Sequence, residues 1–247
     1  MPEYVDRTYR LLHSQKDLAY FRVLIKETDL DIGVSRDKLT VALIKETNNE
    51  VMSVRSQLEQ YIRRDELFLR TLKPHQPARD APKIVRMMAE AGAVAGTGPM
   101  AAVAGAIAQH VGEYLAKRSR EVIVENGGDI YIRSGRVRKI GIFAGESPFT
   151  NRVALEIQPH QTPLGVCTSS GTVGHSLSLG RADAVVILAP SAPLADAVAT
   201  AAGNLVQDER DLEKAVNFAL GIKSVTGALA IKNDQLAAAG KIKLVPM

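Results

Sequence analysis

Asp196 and Thr200 stand four residues apart in the run LADAVAT, which has helical spacing, so a carboxylate and a hydroxyl share one face. Asn204 continues that face. Both groups are hard oxygen donors, suited to Mg²⁺, Mn²⁺ or Ca²⁺ and not to zinc. The same spacing arises when an acid complements the positive end of its helix and a threonine packs beside it, and spacing leaves both readings open. A second cluster, TSSGTVGHS at residues 168–176, puts Thr168, Ser169, Ser170, Gly171 and His175 in one loop. Its glycines let backbone N–H groups approach an anion and its hydroxyls add donors; a plain Gly/Ser surface turn has the same composition. The stretch Gly96, Thr97, Gly98 precedes a helix and is a candidate anion site at that helix's N-terminus, without the spacing of a dinucleotide fingerprint. In ENGGDI, Gly127 and Gly128 read as a hairpin turn, with Glu125 and Asp129 flanking it as acids able to face a ligand. Cys167, the single cysteine, lies in a strand-like run and reads as a small core residue, not a nucleophile.

The elements that must position these groups follow from periodicity. Residues 20–26 alternate, and residues 31–34 and 38–42 are expected to pair with them around Ser35, Arg36 and Asp37. Helical spacing runs from about residue 40 to 69, with an interruption expected at Thr47, Asn48 and Asn49. Residues 73–82 hold three prolines and read as a linker or a loop lying over the site. Helices are expected over residues 82–91, 100–116, 194–206 and 209–220, the third capped by Ser191 with Pro193 in its first turn. Strands are expected at 121–124, 130–133, 139–143, 152–157, 165–167, 184–188, 228–232 and 241–245. Hairpins mixed with helices do not give the regular alternation of a doubly wound fold. The expected class is therefore mixed α/β with antiparallel sheets and packed helices, in one domain or two intimately packed lobes over residues 1–247.

Composition narrows the function. A chain of 247 residues, 46% hydrophobic and only 4% aromatic, builds its core from Ala, Val, Ile and Leu. The net charge of +4 is mild and dispersed, with no aromatic interleaving and no zinc-ligand spacing, which argues against nucleic acid and suits a small anionic ligand. One cysteine and an N-terminus without a signal-peptide pattern point to a reducing, cytoplasmic setting. Residues 91–109 carry no charge, but Ala and Gly with a central Gly98 and Pro99 make a buried helix the expectation and a membrane span not.

Four motifs occur in order: GAIAQ at 105–109, ENGGDI at 125–130, TSSG at 168–171 and ADAVAT at 195–200. This order and spacing resemble the FAD:protein FMN transferase (ApbE) superfamily. The fuller wording, with KETDL at 26–30 and GPMAAVAGAIA at 98–108, is similar to a cytoplasmic UPF-type family within it. The resemblance implies an ApbE-like fold that binds FAD or FMN with Mg²⁺ and moves FMN onto a hydroxyl of an acceptor protein, or cleaves the FAD pyrophosphate. It implies Asp196, Thr200 and the backbone carbonyl of Ala106 as metal ligands. Gly98, Gly127, Gly128, Asp129, Thr168, Ser169, Ser170, Gly171 and His175 would line the nucleotide cleft, with Asp129 and His175 as catalytic candidates. Three features depart from the transferases: Gln109 replaces a lysine, His175 is followed by Ser-Leu-Ser-Leu-Gly in place of an Asp-Pro-x-Thr-Gly segment, and a Met-Gly-Thr motif is absent near the N-terminus. Two other functions stay open with these departures. One is a non-catalytic partner or assembly factor, for which relatives in anaerobes suggest sulfur assimilation towards homocysteine. The other is a different small-molecule enzyme on the same scaffold.

Overall fold

A computed structural model describes residues 15–172 and 178–247. Strands β1 (Leu18–Ile25) and β2 (Thr28–Ser35) form a hairpin. Helices α1 (Val41–Arg64), α2 (Glu66–Arg70), α3 (Lys83–Ala95) and α4 (Val103–Leu115) follow, with a 3-10 turn at Pro99–Ala102. Next come β3 (Val122–Asn126), β4 (Asp129–Arg133), β5 (Arg138–Gly141), β6 (Val153–Ile157), β7 (Leu164–Ser169) and β8 (Ala184–Ala189). The chain closes with α5 (Ala192–Gly203), α6 (Leu212–Leu220), β9 (Gly227–Lys232), β10 (Gln235–Gly240) and β11 (Leu244–Pro246). Eight strands make one antiparallel sheet in the order β1-β2-β3-β4-β7-β8-β9-β10, and β11-β6-β5 make a second.

The period of two along each strand divides the large sheet's side chains between two cores. Val122, Val124, Tyr131, Cys167, Val185 and Ile187 pack under the helices. Ile123, Ile130, Ile132, Val166, Val186 and Leu188 face the small sheet with Ile140, Leu155 and Ile157. Covered on both faces, β8 reads AVVILA without alternation. Helices α4 and α5 are rich in Ala and Gly, so their backbones approach closely. A Cβ on Gly105 would sit 2.5 Å from the Ala192 carbonyl oxygen.

The N-terminal expectations need correction. The hairpin turns at Lys26 (φ 52°), not around Ser35, Arg36 and Asp37. Residues 38–42 are not a strand: Arg36–Lys38 is a 3-10 turn and Thr40 caps α1, its hydroxyl accepting from the Leu43 N–H at 3.1 Å. Nor is α1 interrupted. The Thr47 hydroxyl donates back to the Leu43 carbonyl at 2.7 Å and the Asn48 amide to that of Ile44 at 2.9 Å, so polar side chains are satisfied within the helix.

No single helix among the described residues is long and apolar enough to cross a membrane. The uncharged run 91–109 is split between α3 and α4, which meet at a bend of 105° and contribute Ala91, Ala95, Ala106, Ile107 and Ala108 to the core.

Candidate functional site

The ENGGDI hairpin fixes the first site carboxylate. Gly127 (φ 70°) and Gly128 (φ 104°) occupy the two left-handed positions of a two-residue turn, which side chains strain to adopt. The Glu125 carboxylate accepts from the Gly128 N–H at 2.7 Å, and the Asn126 amide donates to the Ala104 carbonyl at 3.1 Å, tying the turn to the start of α4. Asp129 opens β4 two residues before Tyr131, which packs under the helices, so it faces the same layer. It is only 7% exposed and accepts from the Thr168 N–H at 3.2 Å.

The second carboxylate descends from α5. Asp196 Oδ2 accepts from the Gly105 N–H at 2.8 Å, at the N-terminus of α4, where unpaired amides and the helix dipole favour an anion. Beyond the Gly96, Thr97, Gly98 stretch and its 3-10 turn, the amide that α4 offers at Gly105 is taken by the protein's own Asp196. Gly98 itself packs against the chain leaving α2: a Cβ there would lie 1.8 Å from the Thr71 carbonyl oxygen. Thr200 lies one turn beyond Asp196, half-buried, and Ala106 is the residue after Gly105. Asn204 is used locally, its side chain accepting from the Leu179 N–H at 2.9 Å.

Asp129 and Asp196 repel each other. Burial, then the charge of Asp196, holds the Asp129 carboxyl well above the usual range. Loss of water pushes Asp196 up to about 7, against the pull of the Gly105 and Ala104 amides. Cys167, fully buried on the neighbouring strand, donates its thiol to the Ala192 carbonyl at 3.3 Å. Its pKa is raised by burial and by both carboxylates, which keeps it a thiol and bears on its reading as a core residue. Among the described residues no Lys, Arg or His pairs with either carboxylate.

Thr168 and Ser169 are not in a loop as expected but end β7, paired with Val186 and Val185 of β8, and the chain leaves the strand at Ser170 and Gly171 beside the end of α5. A Cβ on Gly203 would be 3.4 Å from the Ser169 hydroxyl oxygen, and the Gly171 N–H donates to the Ala182 carbonyl at 2.9 Å. Asp129, Cys167, Thr168 and Asp196 are therefore brought together, with Ser169 towards the far end of α5. His175 lies outside the described residues. Gln109, which in sequence stands only as a departure from the transferases, accepts in the fold the Ala192 N–H at 2.8 Å, at the start of the helix carrying Asp196.

Asp129, buried, and Asp196, half-buried, carry carboxylate oxygens, the donor type that suits a hard divalent cation. No group of three or more His, Cys, Asp or Glu able to hold a metal occurs among the described residues. A cation there needs Thr200, a backbone carbonyl, water or substrate to complete its shell, as Mg²⁺ commonly does.

A mixed α/β chain with antiparallel sheets and these four motifs in order defines an ApbE-like protein. The chain belongs to the family described as AbpE bacteria, matched over residues 10–236. It is 45% identical over 193 residues to a UPF0280 protein of Methanocella arvoryzae, covering 78% of each chain. It is 41% identical over 227 residues to one of Methanocaldococcus jannaschii, covering 90% of each. In fold it is similar to the flavin transferase ApbE from Vibrio cholerae, with a TM-score of 0.61 at 13% identity, covering 90% of this chain and 96% of that one.

Proposed function

We propose that this protein binds a flavin nucleotide, FAD or FMN, or a related anionic nucleotide, through a divalent cation, Mg²⁺ by preference, held by Asp196, Thr200 and the Ala106 carbonyl. The observation that carries this reading is the pairing of buried Asp129 with half-buried Asp196, tied to the Gly105 N–H at 2.8 Å, with no described cation beside either carboxylate. A bound Mg²⁺ would supply charge neutralisation for phosphate oxygens. The chain's own residues would do the rest: the Gly127–Gly128 turn and the end of β7 with its exit, Thr168, Ser169, Ser170 and Gly171, would bound the nucleotide, and α4 and α5 would hold Asp196. In transfer, an acceptor hydroxyl oxygen forms a bond to the FMN phosphorus as the bond from that phosphorus to the AMP oxygen breaks. AMP leaves with the electron pair, and the hydroxyl proton passes to a carboxylate oxygen of Asp129 in its ionised form, which a bound cation would favour. With water as acceptor the same step is FAD pyrophosphate cleavage.

The test is release of AMP from FAD with Mg²⁺, with EDTA, and with Asp129→Asn. Metal-dependent release, lowered about 100-fold or more in the variant, supports turnover. A second reading, ligand binding without turnover, draws on Gln109: in place of a charged lysine it is committed to two hydrogen bonds. Tight metal-dependent FAD binding without AMP release would favour it.

A further inference from the structure

We infer that Gln109 is a positioning residue that sets the start of α5, and through it Asp196, in register with α4; this rests on the metal reading above. Helix α5 begins in a fully buried position, so the Ala192 N–H needs an acceptor within the protein. Ser191, the residue placed to cap it, makes no side-chain cap hydrogen bond, and Pro193 has no N–H to satisfy. Gln109 Oε1 takes the Ala192 N–H at 2.8 Å, while its Nε2 donates to Glu113 Oε1 at 2.8 Å. That second bond fixes which way the amide points.

The arrangement is reciprocal. The N-terminal amides of α4 hold the carboxylate carried by α5, and a side chain of α4 holds the N-terminal amide of α5. The two bonds lie one helical turn apart on each helix, from Gly105 to Gln109 and from Ala192 to Asp196. Sliding or rotating α5 would have to break both. Ala192 is pinned further by the Cys167 thiol on its carbonyl and by Gly105 and Gly165, at each of which a Cβ would collide with Ala192 atoms. A lysine at 109 has no acceptor to offer. Its ammonium would face the Ala192 N–H donor to donor, so glutamine here is not a neutral replacement.

Two variants separate positioning from mere stability. Gln109→Met keeps length and removes both hydrogen bonds. The double variant Gln109→Glu with Glu113→Gln restores both, since a carboxylate at 109 accepts from Ala192 and from the amide at 113. The probe is Mn²⁺ alone, followed by paramagnetic resonance, with amide hydrogen exchange of Ala192 as an independent readout. Gln109→Met is expected to weaken Mn²⁺ about tenfold, as losing an outer-shell orienting bond does, and to speed Ala192 exchange. The swapped pair is expected to return affinity to within about threefold of wild type. Faster Ala192 exchange with Mn²⁺ affinity unchanged would overturn the proposal, because the cap would then serve the helix and not Asp196. If Gln109→Met does not fold, failure of a folded swapped pair to bind Mn²⁺ near wild-type strength overturns it equally. Wild type that binds no Mn²⁺ overturns the metal reading, and the proposal with it, which the wild-type control reveals separately.

Discussion

Asp129 and Asp196 are held together with their charges uncompensated by any described side chain, and that has a consequence in pH. Both carboxyls are raised above 3.8, so the folded chain binds protons more tightly than the unfolded one. Their contribution to stability is therefore full below about pH 4 and is lost as pH rises, through about 7 for Asp196 and through its own raised value for Asp129. In EDTA, the melting temperature is expected to fall from pH 5 to pH 8 more steeply in wild type than in the double variant Asp129→Asn, Asp196→Asn. Equal slopes in thermal melts would refute the desolvated pair. Saturating Mn²⁺ should raise the pH 8 melting temperature of wild type and leave the double variant unmoved. Thr200→Val removes the hydroxyl donor and is expected to weaken Mn²⁺ about tenfold with little change in melting temperature, measured by titration. At this scale the GGD turn was legible through a local rule, whereas the D-x-x-x-T spacing alone left a metal-binding face and a dipole-complementing acid both open. The partnership of Asp129 with Asp196 was not legible, since 67 residues separate them and only the register of β4, β7 and α5 brings them together.

Helices α4 and α5 carry the site because small residues let them touch. Gly105→Ala puts a Cβ 2.5 Å from the Ala192 carbonyl oxygen and 2.9 Å from the Asp196 Cβ. The helices must separate, and we expect a loss of about 1–3 kcal/mol in urea unfolding, together with weaker Mn²⁺ binding. Stability lost without any change in Mn²⁺ affinity would mean that the site tolerates helix separation. The sequence shows the boundaries of these helices well, because Pro, Gly and apolar periodicity mark them locally. Ser191 is the N-cap of α5 as its residue type suggests, yet it makes no side-chain cap bond and the buried Ala192 N–H goes to Gln109, a tertiary contact with no local signature. The sequence also misses β10, whose run QLAAAG has no β-branched residue and which becomes a strand by pairing with β9 at the sheet edge.

Across the whole molecule the two sheets are joined by polar as well as apolar contacts. Arg138 on β5, in the small sheet, is 2% exposed and reaches Asp17 at 2.6 Å, just before β1, and Glu121 at 2.7 Å, just before β3. Arg138→Met leaves the Glu121 carboxylate without its buried cation and is expected to cost about 3–5 kcal/mol in urea unfolding. The Arg138 hydrogen bonds help to hold Asp17 and Glu121 below their ordinary values of 3.8 and 4.5, Asp17 chiefly so and Glu121 against burial and alongside Ser134. Their contribution is thus present above about pH 4.5 and lost as pH falls below that, and the variant should show a shallower acid-side decline. The antiparallel class was legible from hairpins such as ENGGDI, whereas the division into eight and three strands depends on long-range pairing such as β4 with β7. The most direct measurement of the central claim is isothermal titration of FAD into wild type and Asp196→Ala, with Mg²⁺ and then with EDTA. Micromolar binding that requires the metal and disappears in Asp196→Ala is the expected result. Binding of equal strength in EDTA or in the variant, or no binding at all, would contradict a cation-bridged nucleotide site between α4 and α5.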